Sequence, residues 1–240
     1  MRRQSTTTNR GFTMIEMLVV ISMIVLLISI LLPSMQKSKY EARVVTCLAN
    51  FHQWGIAMTA YAGEHGGDAL PRQDEPFTTG VNTWDVSNRF PEQMGRYGVN
   101  MAKMWDCPVS PLVPQSVSSF DDAKAYFKSA YGYFSIIPFN LWVPRKFGAV
   151  FFPSPAYDAL ADPKGWPERI SSRNAGTQPV LSDRVSKSTA HDDTPETASG
   201  GHQWVGKLES TTLLFADSHA ERRPVAEVKR RYSGNLKNFY

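Results

Sequence analysis

The chain has 240 residues, of which 42% are hydrophobic, and a formal net charge of +4. This length accommodates one globular domain of ordinary size together with one apolar helix, whereas two full domains would be crowded. Three of the 26 basic residues, Arg2, Arg3 and Arg10, lie before Gly11, and the other 23 nearly balance the 22 acidic residues, so the charge gives no support for nucleic-acid binding.

A long apolar segment follows a short polar leader near the N-terminus. It runs from Phe12 to Leu32 and ends at Pro33. A helix of about 21 residues is roughly 31 Å long, which is enough to cross a hydrocarbon core of about 30 Å. The leader is basic and contains no acidic residue, so we expect it to remain cytoplasmic and the residues after Pro33 to lie outside.

One carboxylate, Glu16, interrupts this apolar segment near its beginning. A charged side chain at the bilayer centre costs about 2.5–3.5 kcal/mol, and less near the end of the span, so Glu16 requires a partner. One interpretation is a helix capping box, in which Glu16 accepts a hydrogen bond from the backbone N–H of Thr13. A capping box alone leaves the Arg10-Gly11 junction and the polar leader unexplained.

Taken together, these features resemble the N-terminus of type IV prepilins and type II secretion pseudopilins. Precursors of that family have a short basic leader that ends in Gly, then a Phe, a Glu at the fifth mature position and one long apolar helix. Gly11, Phe12 and Glu16 stand at these positions here. An ordinary secretory signal would be cut after its apolar core at small residues, and no good site of that kind follows Leu31.

The resemblance has specific implications for processing and location. It implies that a prepilin peptidase cuts between Gly11 and Phe12 and N-methylates Phe12, and that Glu16 and Phe12 serve assembly. It further implies a bacterial inner-membrane protein with a cytoplasmic N-terminus and a periplasmic head. Its partners would be the peptidase, other pilin-like subunits, the membrane itself and the inner-membrane assembly machinery.

The helical pattern continues beyond the membrane segment. Apolar residues recur at steps of three and four, and no turn signal separates them from the membrane segment. We therefore predict one helix from Thr13 to about Ala62, kinked at Pro33, where proline removes a backbone donor. The chain then divides into a leader (1–11), a membrane and assembly segment (12–33) and a head (34–240).

The rest of the head indicates an α+β fold built on an antiparallel sheet. Three segments have strand patterns: residues 129–136, residues 178–183, and residues 211–222 as a hairpin that turns near Asp217 and Ser218. We expect a loop-rich region at 63–128, with a short helix at 121–128. A sheet region at 129–224 should follow, with a covering loop or edge at 147–155 and a polar loop at 186–201. The C-terminal tail at 225–240 should contain a short solvated helix.

The chain contains two cysteines, Cys47 and Cys107. If both lie beyond the membrane in an oxidising compartment, their even number favours a disulfide, and two separate buried thiols are the alternative. A disulfide would close a loop of about 60 residues, which the chain-entropy model values at roughly 4 kcal/mol.

Motifs after the membrane segment resemble a subgroup of prepilin-like proteins. The matching stretches are Cys47 to Gly55, Tyr61 to Gly67, Cys107-Pro108 and Phe215 to His219. Within the last stretch, Ser218 stands where the subgroup usually has Gly. The distance from His202 to Asp217 is also longer than is usual there, which puts a shared role for His202 in doubt.

Residues of metal-binding type are concentrated late in the chain. In sequence order they are His191, Asp192, Asp193, His202, Asp217 and His219. The first three lie in a polar loop where they would be solvated, and Asp217 suits a turn. No H-E-x-x-H, G-x-S-x-G or phosphate-binding glycine loop is present.

We therefore expect no catalysis, no cofactor and no bound metal. If a metal were bound, His202, Asp217 and His219 would be the candidate ligands. A structural pilin-like subunit is the preferred function. The alternative is a membrane-tethered extracytoplasmic enzyme or binding module that uses a prepilin-type anchor.

Overall fold

The computed structural model describes residues 12–72, 82–99, 104–105, 107–109, 125, 134–147, 150–153, 163–188, 193–233 and 236–240. The chain divides into two compact units, Met1–Ala42 and Arg43–Tyr240. The leader, the predicted helix at 121–128 apart from residue 125, and the first part of the predicted strand at 129–136 lie outside the described residues.

The longest element is helix α1, Met14–Glu64, which continues through Pro33. It confirms the predicted long helix closely at both ends, while the kink at Pro33 stays a prediction. The helix ends where two glycines, Gly66 and Gly67, adopt a positive φ of 80°. The backbone N–H of Gly67 donates to the carbonyl of Ala62 at 2.8 Å, which satisfies one of the last helical acceptors.

Further elements follow in chain order. They are β1 (Asp85–Ser87), α2 (Phe90–Arg96), β2 (Phe134–Ile136), β3 (Phe139–Leu141), β4 (Arg145–Phe147), β5 (Val150–Phe152), β6 (Pro179–Asp183), β7 (Val185–Ser188), β8 (Ser199–Gly200), β9 (His202–Trp204), β10 (Lys207–Phe215), β11 (Ala220–Pro224), β12 (Arg230–Ser233) and β13 (Leu236–Phe239).

Strand β10 is the centre of the main sheet. It pairs with β11, β6 and β9, and β6 also pairs with β3, all in antiparallel register. A second antiparallel sheet has the order β12-β13-β7-β8, and the pairs β1-β2 and β4-β5 form two-stranded ribbons. This arrangement confirms the α+β fold with an antiparallel sheet.

Within the second unit, the later part of α1 forms one side of the main core. Apolar side chains at helical spacing, including Cys47, Phe51 and Trp54, are buried against residues of the main sheet such as Phe139 and Leu214. Phe51 and Phe139 meet edge to face with ring centroids 5.2 Å apart. Aromatic pairs of this geometry stabilise beyond the area that they bury, so the sheet is well anchored on α1.

The hairpin predicted at 211–222 is confirmed by β10 and β11. Its turn contains Asp217 and Ser218, and Ser218 adopts a φ of 69°. This left-handed conformation favours glycine, so Ser218 occupies a backbone position that glycine would adopt at lower cost. The strand predicted at 178–183 is also confirmed, as β6.

The short helix predicted within 225–240 is wrong. Among the described residues of this segment, the one helical turn is the 3₁₀ turn Val225–Glu227, and β12 and β13 follow it as an antiparallel pair. Tyr232 and Phe239 are fully buried, so burial of these aromatic side chains, rather than the basic run before them, determines the structure.

One loop prediction also needs correction. The stretch at 186–201 contains most of β7, the 3₁₀ turn Pro195–Thr197 and β8, because β7 joins the second sheet through β13. These strands have four and two residues, too few for a local pattern to identify them. The stretch at 147–155, expected as a covering loop or edge, contains β5, which forms a two-stranded ribbon with β4.

Candidate functional site

The start of α1 forms the capping box that the sequence suggested. The backbone N–H and the hydroxyl of Thr13 both donate to Oε2 of Glu16, each at 2.8 Å. The backbone N–H of Glu16 in turn lies 3.3 Å from Thr13 Oγ1. These reciprocal bonds satisfy donors at the helix start, and Glu16 remains exposed, so the cap leaves its charge accessible to a further partner.

The apolar side chains from Phe12 to Met35 are exposed. They include Phe12, Met14 and Leu26 among many others, and the helix is long and apolar enough to cross a membrane. The hydroxyl groups of Ser22 and Ser29 donate to the carbonyls of Leu18 and Leu26, both at 2.7 Å. Because hydrocarbon supplies no hydrogen bonds, such internal pairing suits a segment that faces lipid.

In the head, four side chains of metal-binding type meet in the interior: Cys47, Cys107, Asp183 and His202. Their ligand atoms all lie within 4.8 Å of one another. Each of the four residues is at most 2% exposed. We refer to these residues as the Cys-His-Asp cluster.

Different elements supply the four members of this cluster. Cys47 lies on α1, Cys107 precedes Pro108 in the segment after α2, Asp183 is the last residue of β6, and His202 is the first residue of β9. Since β6 and β9 both pair with β10, the main sheet brings the ends of these two strands together. Residues that are far apart in sequence therefore converge at one buried point.

Hydrogen bonds orient the acidic and basic members of the cluster. Asp183 Oδ2 accepts from the backbone N–H of Thr212 at 2.7 Å and lies 3.1 Å from Nε2 of His202. The thiol of Cys47 donates to Asp183 Oδ1 at 3.6 Å. On the other edge of the imidazole, Nδ1 lies 3.0 Å from the hydroxyl of Ser210.

The buried groups of the cluster shift one another's pKa values. Burial disfavours a charged imidazole, but the charge and hydrogen bond of Asp183 outweigh it and raise the pKa of His202 to about 10. Burial and the contact with Cys107 raise the pKa of Cys47 well above its usual value. Burial also opposes ionisation of Cys107, yet the Cys47 thiol and His202 lower its pKa.

The other metal candidates from the sequence are placed elsewhere. Among the described residues, the Cys-His-Asp cluster includes His202 but neither Asp217 nor His219. Those two are exposed on the β10-β11 turn, where their side chains bond to each other and His219 stacks on Phe215 with ring centroids 4.1 Å apart. Their conformation is thus explained by the turn itself.

Of the three loop candidates, Asp193 alone lies within the described residues. Asp193 is exposed and lies 2.7 Å from the ammonium group of Lys237 and 3.5 Å from Arg230, as expected for a solvated ion pair. His191 and Asp192 lie outside the described residues.

Sequence reasoning missed Asp183 as a member of the site. The available signal was the position of Asp183, a carboxylate that ends the apolar strand Pro179 to Asp183. A charged residue is rarely buried without a partner, so this position indicates a partner nearby. In the structure Cys47 and Cys107 are free thiols, with sulfur atoms within 4.8 Å of each other. The disulfide between them stays a prediction.

Comparison with known proteins supports a prepilin-type N-terminus. Residues 7–32 match a family model described as the prokaryotic N-terminal methylation motif. No curated protein and no solved structure matches the chain. The matched segment includes Gly11, Phe12 and Glu16 and most of the apolar part of α1. Motif and helix together fit a membrane-anchored, single-pass protein of the pilin or pseudopilin type.

Proposed function

We propose that the chain is the precursor of a structural, non-catalytic pilin-like subunit that assembles through α1 into a filament or a type II secretion pseudopilus. The observation that carries the proposal is the methylation-motif match at residues 7–32, which contains a carboxylate, Glu16, within an exposed apolar helix. A mere membrane tether has no use for a carboxylate at this position, because an unpaired charge in lipid is costly.

Processing comes first in this proposal. The basic leader stays cytoplasmic, in keeping with the positive-inside rule, and the head is exported. A prepilin peptidase removes residues 1–11 and methylates the amino group of Phe12. The new N-terminus then carries a positive charge close in sequence to Glu16.

Pairing between subunits gives the carboxylate of Glu16 a role in assembly. When parallel helices of identical subunits are offset along their axis, the amino group of Phe12 in one subunit approaches Glu16 of its neighbour. In lipid or a dry filament core such a pair is screened much less than at a protein surface. A different offset would leave both charges buried alone, so the pair sets the register between subunits.

The capping box allows a test that separates helix capping from charge pairing. Glu16→Gln retains an oxygen that can accept from Thr13 but removes the charge, whereas Thr13→Ala weakens the cap and keeps the charge. We expect both variants to be inserted and cleaved. Glu16→Gln should enter assemblies about tenfold less or worse, because removing one member of a buried ion pair costs about 3–5 kcal/mol.

The measurement is the fraction of protein in sheared or crosslinked assemblies relative to the membrane pool. Glu16→Leu should resemble Glu16→Gln, and Glu16→Asp, one methylene shorter, should be intermediate. Thr13→Ala should assemble nearly as the parent chain does. If Glu16→Gln assembles as well as the parent chain, Glu16 is only a helix cap and a membrane-tethered module becomes the better description.

A further inference from the structure

We propose that Cys47, Cys107, Asp183 and His202 bind a structural zinc ion in the head. Cysteine sulfur, histidine nitrogen and aspartate oxygen are all ligands of Zn²⁺, which favours four ligands in tetrahedral geometry. All four residues are buried, and their donor atoms lie within 4.8 Å of one another. This proposal departs from the expectation of no metal that the sequence alone supported.

The distances within the cluster agree with a tetrahedral site. Zinc bonds of about 2.0–2.3 Å place neighbouring donor atoms roughly 3.3–3.8 Å apart. Cys47 Sγ lies 3.6 Å from Asp183 Oδ1, and His202 Nε2 lies 3.1 Å from Asp183 Oδ2. These two contacts use different oxygens of Asp183, and the donor atoms of all four residues lie within 4.8 Å of one another, so movements of about 1 Å bring them to zinc-site spacing.

Neighbouring groups hold the ligands as zinc sites require. The hydroxyl of Ser210 accepts a hydrogen bond from Arg222 Nε at 2.8 Å and lies 3.0 Å from Nδ1 of His202. With its second lone pair, Ser210 Oγ can accept from Nδ1–H, which leaves Nε2 free to bind a metal. Thr212 holds the carboxylate through its backbone N–H. Such outer contacts orient metal-binding imidazoles and carboxylates.

Thr212 also places its hydroxyl at the cluster. Its Oγ1 lies 3.2 Å from His202 Nε2 and 3.9 Å from Cys47 Sγ. The contact with Nε2 would be exchanged for the metal bond when zinc binds. The hydroxyl can then donate to the Cys47 thiolate, a hydrogen bond that is common around zinc-bound sulfur.

The position of the site indicates a structural rather than a catalytic role. Four protein ligands close the coordination shell and leave no open position for water or substrate. The ligands come from α1, from the segment after α2, and from the ends of β6 and β9. One ion would thus join the helix, a loop and the main sheet at a single point.

A disulfide between the same cysteines is the competing state, since one pair of sulfur atoms cannot serve both purposes. A disulfide would account for Cys47 and Cys107 alone. It would leave unexplained why buried Asp183 and His202 both point at these sulfur atoms, whereas a zinc ion uses all four residues.

The test uses the full chain, extracted in detergent and purified without chelators. We expect elemental analysis to give one zinc per chain and alkylation to show no disulfide. After removal of zinc with a chelator, Co²⁺ should restore binding and produce thiolate-to-cobalt charge-transfer absorption. The His202→Gln and Cys107→Ser variants should lose more than about tenfold in zinc affinity, because even the loss of an outer contact to a metal ligand costs about 10–100-fold.

Two matched control variants, His219→Gln and Asp217→Asn, change metal-binding residue types at the exposed turn and should keep full zinc content. If a ligand variant fails to fold, the cobalt spectrum of the parent chain still decides the matter. A Cys47–Cys107 disulfide peptide from unreduced protein would overturn the proposal. So would a reduced, folded chain that binds neither zinc nor cobalt, or equal zinc loss in the controls.

Discussion

Asp85 is a buried carboxylate whose charge is incompletely compensated. It is 1% exposed and accepts hydrogen bonds from the backbone N–H and the side-chain amide of Asn82, at 3.2 and 3.0 Å. Arg145 and Arg184 favour the charged form, but burial outweighs all of these contacts and raises the pKa of Asp85 from 3.8 to about 6. The folded head therefore binds a proton here more tightly than the unfolded chain does.

This raised pKa predicts a loss of stability with rising pH. Below about pH 4 Asp85 is protonated in both the folded and the unfolded chain, so its burial costs no free energy. Above about pH 6 it is ionised in both, and the folded chain bears the full cost of the buried charge. A shift of about two units corresponds to about 3 kcal/mol. Compared with Asp85→Asn, the parent chain should lose about that much between pH 4 and pH 7.

Denaturant unfolding of the detergent-extracted chain, followed by fluorescence of the buried tryptophans, measures this difference. Buried Trp54, Trp105 and Trp142 report on the core of the head. Taking the difference between parent and variant removes the contribution of every other titrating group. Parallel stability curves across this pH range would show that burial does not control Asp85.

At the scale of single residues, the sequence identified three of the four members of the Cys-His-Asp cluster but not their grouping. Cys47, Cys107 and His202 are conspicuous because their types carry chemistry. Asp183 ends an apolar strand, which is a weak local sign of a buried carboxylate and does not show which residues it meets. The grouping depends on strand pairing around β10, which joins residues far apart in the chain.

Among the elements, α1 and the β10-β11 hairpin are in close contact at Gly55. A Cβ atom at Gly55 would lie 3.0 Å from Leu214 Cδ1 and 3.2 Å from Ser218 Cα. The hydroxyl of Ser218 donates to the carbonyl of Gly55 at 3.3 Å. Absence of a side chain at this point lets the turn contact the helix backbone directly.

We predict that Gly55→Ala destabilises the head despite the better helix propensity of alanine. Crowding against the backbone of a turn should cost about 1–3 kcal/mol, more than the gain of up to about 1 kcal/mol from propensity. The matched control is Gly63→Ala in the same helix, where a Cβ meets nothing within 4 Å. That variant should be as stable as the parent chain or slightly more stable.

Thermal unfolding of the two glycine variants is the measurement. Equal stability of Gly55→Ala and Gly63→Ala would show that the helix and the turn can move apart at no cost. Since both substitutions exchange the same atoms in the same element, helix propensity alone cannot explain a difference between them.

The elements that were predicted correctly have strong local signals. α1 has sustained helical periodicity and a glycine end, and the β10-β11 hairpin has a buried strand followed by turn residues. β12 and β13 lack such a signal, because their strands are four residues each and their burial depends on pairing with each other and with β7. Short strands at a chain end are specified by tertiary contacts more than by local preference.

For the whole molecule, exposed and buried apolar side chains lie in different parts of the chain. From Phe12 to Met35 the apolar side chains are exposed, and in the second unit apolar residues of α1 and of the sheets form buried cores. A long exposed apolar face is unstable in water and requires lipid or other helices around it. This requirement agrees with a subunit that is stored in a membrane and then packed against its neighbours.

The covalent state of the N-terminus tests the prepilin proposal most directly, through mass spectrometry of the N-terminal peptide from the membrane fraction. In cells that contain a prepilin peptidase, we predict a chain that begins at Phe12 with a methylated amino group. Gly11→Val should block cleavage, because a side chain at this junction obstructs the peptidase. A parent chain that keeps residues 1–11 beside an active peptidase, or that begins after Pro33, would contradict the prepilin assignment.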